Sequence, residues 1–157
     1  MLVNLLRLHE LRLPEQPQEF MHDFRHAGVI LFKLGCEEIA DDIMQKCIDL
    51  FKSFSNPKAK DAAKEQFVVY CLECNTPRKA EQAAAELLQT YPQSAPCLTV
   101  QMLIAARTGQ LGQAKELAEK VQGLARSRNS IPYKMALRIL AIDSHGVPDD
   151  NAQHQQK

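Results

Sequence analysis

Tryptophan is absent from this chain of 157 residues, aromatic residues make up only 6%, and there are 6 glycines and 8 prolines. So few helix-breaking residues leave most of the chain free to form regular structure. The scarcity of aromatics also removes the usual stacking platforms for single-stranded nucleic acid. An excess of one charge is missing too. The 19 Lys and Arg cancel the 19 Asp and Glu, so the chain as a whole has no bulk attraction to phosphate or anionic lipid. No apolar run reaches the length of roughly 20 residues that a membrane span needs. Cysteine is present five times, at Cys36, Cys47, Cys71, Cys74 and Cys97. The number is odd and no secretory signal precedes them, which predicts buried free thiols in a reducing compartment, cytoplasmic or nuclear. The opening MLVNLLRLHELRL carries Arg7 and Arg12, but its Glu10 and its lack of serine argue against a mitochondrial presequence.

Apolar periodicity predicts helices along nearly the whole chain. Leu2, Leu5, Leu6 and Leu8 begin a first helix that ends near Leu13, before Pro14 and Pro17 remove backbone donors. A second helix runs from about Glu19 to Leu34, with Phe20, Phe24, Ala27, Gly28, Leu31 and Leu34 in one stripe, and Gly35 stops it. A third, about Glu37 to Phe51, presents Ile39, Ala40, Ile43, Met44, Cys47 and Ile48 on one face. SFSNPK is a loop. A fourth helix covers about Ala59 to Cys74 and absorbs FVVYCL, the one strand-like run, because no turn precedes it. Thr76 and Pro77 read as an N-cap and first helical residue, starting a fifth helix that ends at Tyr91-Pro92. Further helices are expected from about Ala95 to Arg107, Leu111 to Ala125 and Pro132 to Ile142, the last burying Tyr133, Ala136, Leu137 and Leu140. The polar tail after residue 143 has no periodicity and is expected to be disordered.

Three stretches align: KLGCEEIADDIMQKCIDL, ECNTPRKAEQAAAELLQTYP and RTGQLGQAKELAEKVQGL. Each has a short turn and then a helix with alanine in its first part: Ala40, Ala80 and Ala114, spaced by 40 and 34 residues. SFSNPK accounts for the longer interval as a loop insertion. The shorter interval is the period at which helical hairpins stack into solenoids.

On these residues the chain resembles tetratricopeptide repeat proteins over roughly residues 21–126. Gly28 stands where the first helix of a repeat has a small residue; Val68 and Met102 depart from that pattern. Ala40, Ala80 and Ala114 fit the small position of the second helix. The inner-turn glycine is matched by Gly35 and Gly109, with Asn75 in the middle copy. Phe24 and Leu98 fill an apolar place that holds Lys64 in the middle copy, and only Pro92 matches the closing proline. The resemblance implies an all-α fold: a right-handed α-solenoid of about three helical hairpins, with an N-terminal helix and a C-terminal capping helix. One helical-repeat domain would span residues 1–143, with repeats at about 21–54, 61–94 and 95–128 and a tail at 144–157. An irregular helical bundle is the competing architecture.

Motifs for chemistry are weak. Cys71 and Cys74 form a CxxC at a helix end, without the second ligand pair that zinc needs or the preceding strand of a thioredoxin-like site. His22 and His26 share a helix face, for which a solvated surface is sufficient explanation. Glu37, Glu38, Asp41 and Asp42 suit the positive end of a helix dipole. No nucleophile triad, phosphate loop or dinucleotide fingerprint is present, so neither an enzyme, a metal nor a cofactor is expected.

The resemblance instead implies a concave groove lined by the first helix of each hairpin. His22, Arg25, Val29 and Phe32 would come from the first copy. Ala62, Glu65, Val69 and Leu72 would come from the second, and Pro96, Thr99, Leu103 and Ala106 from the third. Val29, Gln66 and Pro96 occupy places where a clamp for acidic chaperone tails has polar groups, so that ligand is disfavoured. A mostly apolar groove suits a peptide or helix of a partner protein. The expectation is thus a non-catalytic scaffold or adaptor in a larger complex, without membrane contact. Two alternatives remain. One is an RNA-associated helical repeat using the stretch from Arg107 to Arg138, where seven basic residues face Glu116 and Glu119; the neutral total charge speaks against it. The other is a fragment or short isoform of a longer solenoid.

Overall fold

The computed structural model describes residues 17–52 and 57–142. The expected leucine-rich first helix, most of the SFSNPK loop and the polar tail lie outside the described residues. The chain is all-α. Its described residues form α1 (Pro17–Lys33), α2 (Glu37–Lys52), α3 (Pro57–Glu73), a 3-10 turn (Pro77–Ala80), α4 (Glu81–Thr90), α5 (Ala95–Arg107), α6 (Leu111–Leu124) and α7 (Ile131–Leu140). FVVYCL lies in α3, as expected. Val68, Tyr70, Cys71 and Leu72 are all buried, and a helix buried on more than one face loses the amphipathic signature and looks strand-like in sequence. No helix among the described residues is long and apolar enough to cross a membrane.

Three helices end in the same way. The backbone turns left-handed at Gly35 (φ 84°), Asn75 (φ 56°) and Gly109 (φ 80°). In each case the next residue donates its N–H five residues back: Cys36 to Leu31 O at 2.9 Å, Thr76 to Cys71 O at 2.8 Å, Gln110 to Ala105 O at 2.9 Å. The left-handed residue itself donates three back, to Phe32 O, Leu72 O and Ala106 O. This paired pattern satisfies carbonyls that a helix end would otherwise leave open. Five residues after each left-handed position stands an alanine, Ala40, Ala80 or Ala114, with no exposed surface. The three aligned stretches therefore share one local geometry.

By contacts the chain divides into two compact units, Met1–Tyr70 and Cys71–Lys157. In the first, Phe20, Met21 and Phe24 of α1 meet Ile43, Cys47, Ile48 and Phe51 of α2 and Ala63 of α3. Phe20 packs on Phe24 at 4.4 Å and edge-on to Phe51 at 6.0 Å between ring centres. Gly28 is small for a steric reason: a Cβ there would lie 3.2 Å from Met44 Sδ and 3.3 Å from Tyr70 Cε2. Tyr70 is fully buried and donates its hydroxyl to Asp41 Oδ1 at 2.8 Å. Arg25 Nη1 donates to Gln66 Oε1 at 2.7 Å, a polar tie of α1 to α3 beside that of α2 to α3.

In the second unit, α5 packs against α4, α6 and α7. Leu98, Met102 and Ala105 of α5, Ala114, Ala118 and Val121 of α6, and Ala136 and Ile139 of α7 form one core. Ser94 caps α5 by accepting from Cys97 N at 3.5 Å, and Ser130 caps α7 by accepting from Tyr133 N at 3.4 Å.

Four expectations need correction. Leu34 and Ile39, placed in buried stripes, are 72% and 54% exposed. Leu34 lies past the last helical residue of α1, and Ile39 precedes the stripe that begins at Ala40. Thr76 makes no side-chain cap; its N–H and its hydroxyl (3.4 Å) both go back to Cys71 O. The chain after it starts as a 3-10 turn with buried Pro77. On α7 the buried residues are Ala136 and Ile139. Tyr133, Leu137 and Leu140 are half-buried, because the helix presents a face rotated from the one predicted.

Gly28→Leu and Ala114→Leu are each expected to lower stability by about 1–3 kcal/mol, since neither site has room for added carbons. Gly109→Ala meets nothing within 4 Å; it should cost about 1–2 kcal/mol through the left-handed backbone alone. Urea unfolding followed by circular dichroism checks all three.

Candidate functional site

The groove candidates of the first unit lie on two neighbouring helices. His22 on α1 is exposed, Arg25 and Phe32 are half-buried, and Val29 is buried. Glu65 and Val69 on α3 are half-buried. The Arg25–Gln66 hydrogen bond brings α1 and α3 together beside these residues. Phe32 stands edge-on to Tyr70, with ring centres 6.4 Å apart and planes at 89°. Arg25, Phe32, Glu65 and Val69 thus belong to one partly open surface, with an apolar middle and charges of both signs.

The candidates of the second unit differ among themselves. Leu72 and Thr99 are buried, and the Thr99 hydroxyl donates to Ala95 O at 2.6 Å within its own helix. Leu103 and Ala106 are partly buried against the core of that unit. Leu103 and Ala106 therefore retain area that another chain could cover. Among the described residues no group of three His, Cys, Asp or Glu could hold a metal ion.

Sequence reasoning missed one surface. Ile30, Leu34 and Ile39 are exposed by 59%, 72% and 54%. A signal was present, since Ile30 falls outside the stripe through Phe24, Gly28 and Leu31.

The basic stretch is exposed at Arg107, Lys120, Arg126, Arg128, Lys134 and Arg138, and half-buried at Lys115. Lys134 and Arg138 stand one turn apart on α7. Arg107 Nη2 donates to Asn75 Oδ1 at 2.9 Å, which ties it to the middle turn. No Asp or Glu occurs between Lys120 and Ile142.

All five cysteines are free. Cys47, Cys71, Cys74 and Cys97 are buried, and Cys36 is half-buried in the first turn. Burial pushes the Cys47 thiol up from 9.0 to about 12, because an apolar surrounding disfavours the thiolate. A raised folded-state value leaves stability untouched below pH 9 and erodes it as pH climbs from 9 toward 12, where the unfolded chain has already lost the proton. At pH 8 a thiol reagent should label Cys36 first. Cys47 should react only in denaturant, and prompt labelling of Cys47 by mass spectrometry would contradict its burial.

No family model, curated protein or solved structure is detectably similar to this chain.

Proposed function

We propose that the chain is a non-catalytic scaffold built of tetratricopeptide-like hairpins of a right-handed α-solenoid, and that it holds a peptide or helix of a partner protein. The observation that carries the reading is the thrice-used turn, at Gly35, Asn75 and Gly109, each followed by a fully buried alanine. Repeated hairpins cannot cover their apolar faces alone, and their stacking leaves extended surfaces suited to partner chains. In the first unit the contact surface is Arg25, Phe32, Glu65 and Val69. In the second it is Leu103 and Ala106. Half-buried apolar side chains beside charges match an amphipathic helix or an extended peptide.

A second reading has its own observation. The run from Lys120 to Ile142 carries five basic residues and no acid, which suits the phosphates of RNA. Binding of that kind weakens steeply as salt rises.

Val69→Glu and Leu103→Glu separate the two. Each should abolish recovery of a protein partner that the wild-type chain retains, while leaving helix content unchanged. Unchanged recovery with both substitutions removes these surfaces from the reading. Conversely, Arg126→Ala with Arg128→Ala should flatten the salt dependence of RNA binding if the second reading holds.

A further inference from the structure

We infer that the apolar end of the first hairpin is a self-association surface that pairs with a second copy of this chain. Ile30, Leu34 and Ile39 are exposed by 59%, 72% and 54%. Leu34 lies just past the end of α1, one turn beyond Ile30, whose carbonyl accepts its N–H at 3.0 Å. The left-handed Gly35 then carries the chain from Leu34 to Ile39 within five residues. Three large aliphatic side chains gathered at one hairpin end are not the scattered exposure normal for a surface; such gathering marks a contact region.

The charges around them select the occupant. Lys33 beside Leu34 is exposed, and so are Glu37 and Glu38 before Ile39. The two arms of the hairpin end therefore carry opposite signs. In a two-fold pairing the same patch faces itself. A patch flanked by one sign would repel its own copy, and would favour a partner of opposite charge. A patch flanked by both signs is complementary to itself: Lys33 of one copy meets Glu38 of the other while the aliphatic side chains close in between. Three residues make a small contact compared with the roughly 1,200–2,000 Å² of a stable interface, so the association is weak and reversible. The inference stands apart from the partner-binding reading above, because it uses none of the same residues.

Sedimentation velocity on the full chain tests it, across about 10 μM to 1 mM, the range of weak association. The expected result is a monomer–dimer equilibrium. Leu34→Glu should raise the dissociation constant at least tenfold, and Lys33→Glu should weaken the dimer. Lys33→Glu combined with Glu38→Lys should restore what the single reversal loses. All three positions are exposed, so the variants keep their helix content by circular dichroism. A chain that stays monomeric at every concentration overturns the inference, whether another protein or residues 1–16 cover the face. So does a dimer that Leu34→Glu leaves intact, or a double reversal that restores nothing.

Discussion

At Gly35, Asn75 and Gly109 the backbone enters the left-handed region, where a Cβ crowds the following carbonyl. Glycine avoids that crowding, and asparagine tolerates it because its side chain is short and polar. Much follows from this one local constraint. The turn satisfies the last carbonyls of one helix, and across the first and third turns the flanking helices pack directly, α1 on α2 and α5 on α6. Close axes leave no room at the point of nearest approach. The alanines five residues later are buried completely, and on the opposite arm of the first hairpin Gly28 leaves a gap that Met44 and Tyr70 fill. Turn and small residue are thus two parts of one device: the first fixes where the chain reverses, the second how closely it can pack afterward.

Polar ties then fix orientation. Helices that meet only through alanine and aliphatic side chains could rotate or slide with little penalty. Tyr70 with Asp41 links α3 to α2, and Arg25 with Gln66 links α1 to α3. Both sit partly buried, where a mispaired hydroxyl or guanidinium would cost more than it would in water. Each accepts a single register of its helices, so the aromatic cluster around Phe20 and Phe51 assembles in one arrangement.

The helices and their ends were largely legible because their signals are local. Glycine, proline and apolar spacing placed α5 and the middles of the others, and aligned alanines revealed the repeated turn. The errors came where tertiary context decides. Leu34 and Ile39 continue the apolar rhythm of their helices, yet no described neighbour covers them. Thr76 has the chemistry of an N-cap, but its hydroxyl turns back to Cys71 O in the helix before it. On α7, Ala136 and Ile139 are buried, whereas Leu140 packs against the same core while staying half-buried and Tyr133 is half-buried. Of the groove candidates, Val29, Leu72 and Thr99 shared the right helical spacing but are buried, since spacing fixes a face and not what lies over it.

The turn at Asn75 is the one that departs furthest from the shared pattern, and its departures are related. Asn75 replaces glycine, so the left-handed residue is less comfortable; its side chain is held by Arg107. Pro77 follows immediately and removes a donor, and the chain answers with a 3-10 turn before α4 becomes regular. The division into two compact units falls close to this turn, between Tyr70 and Cys71.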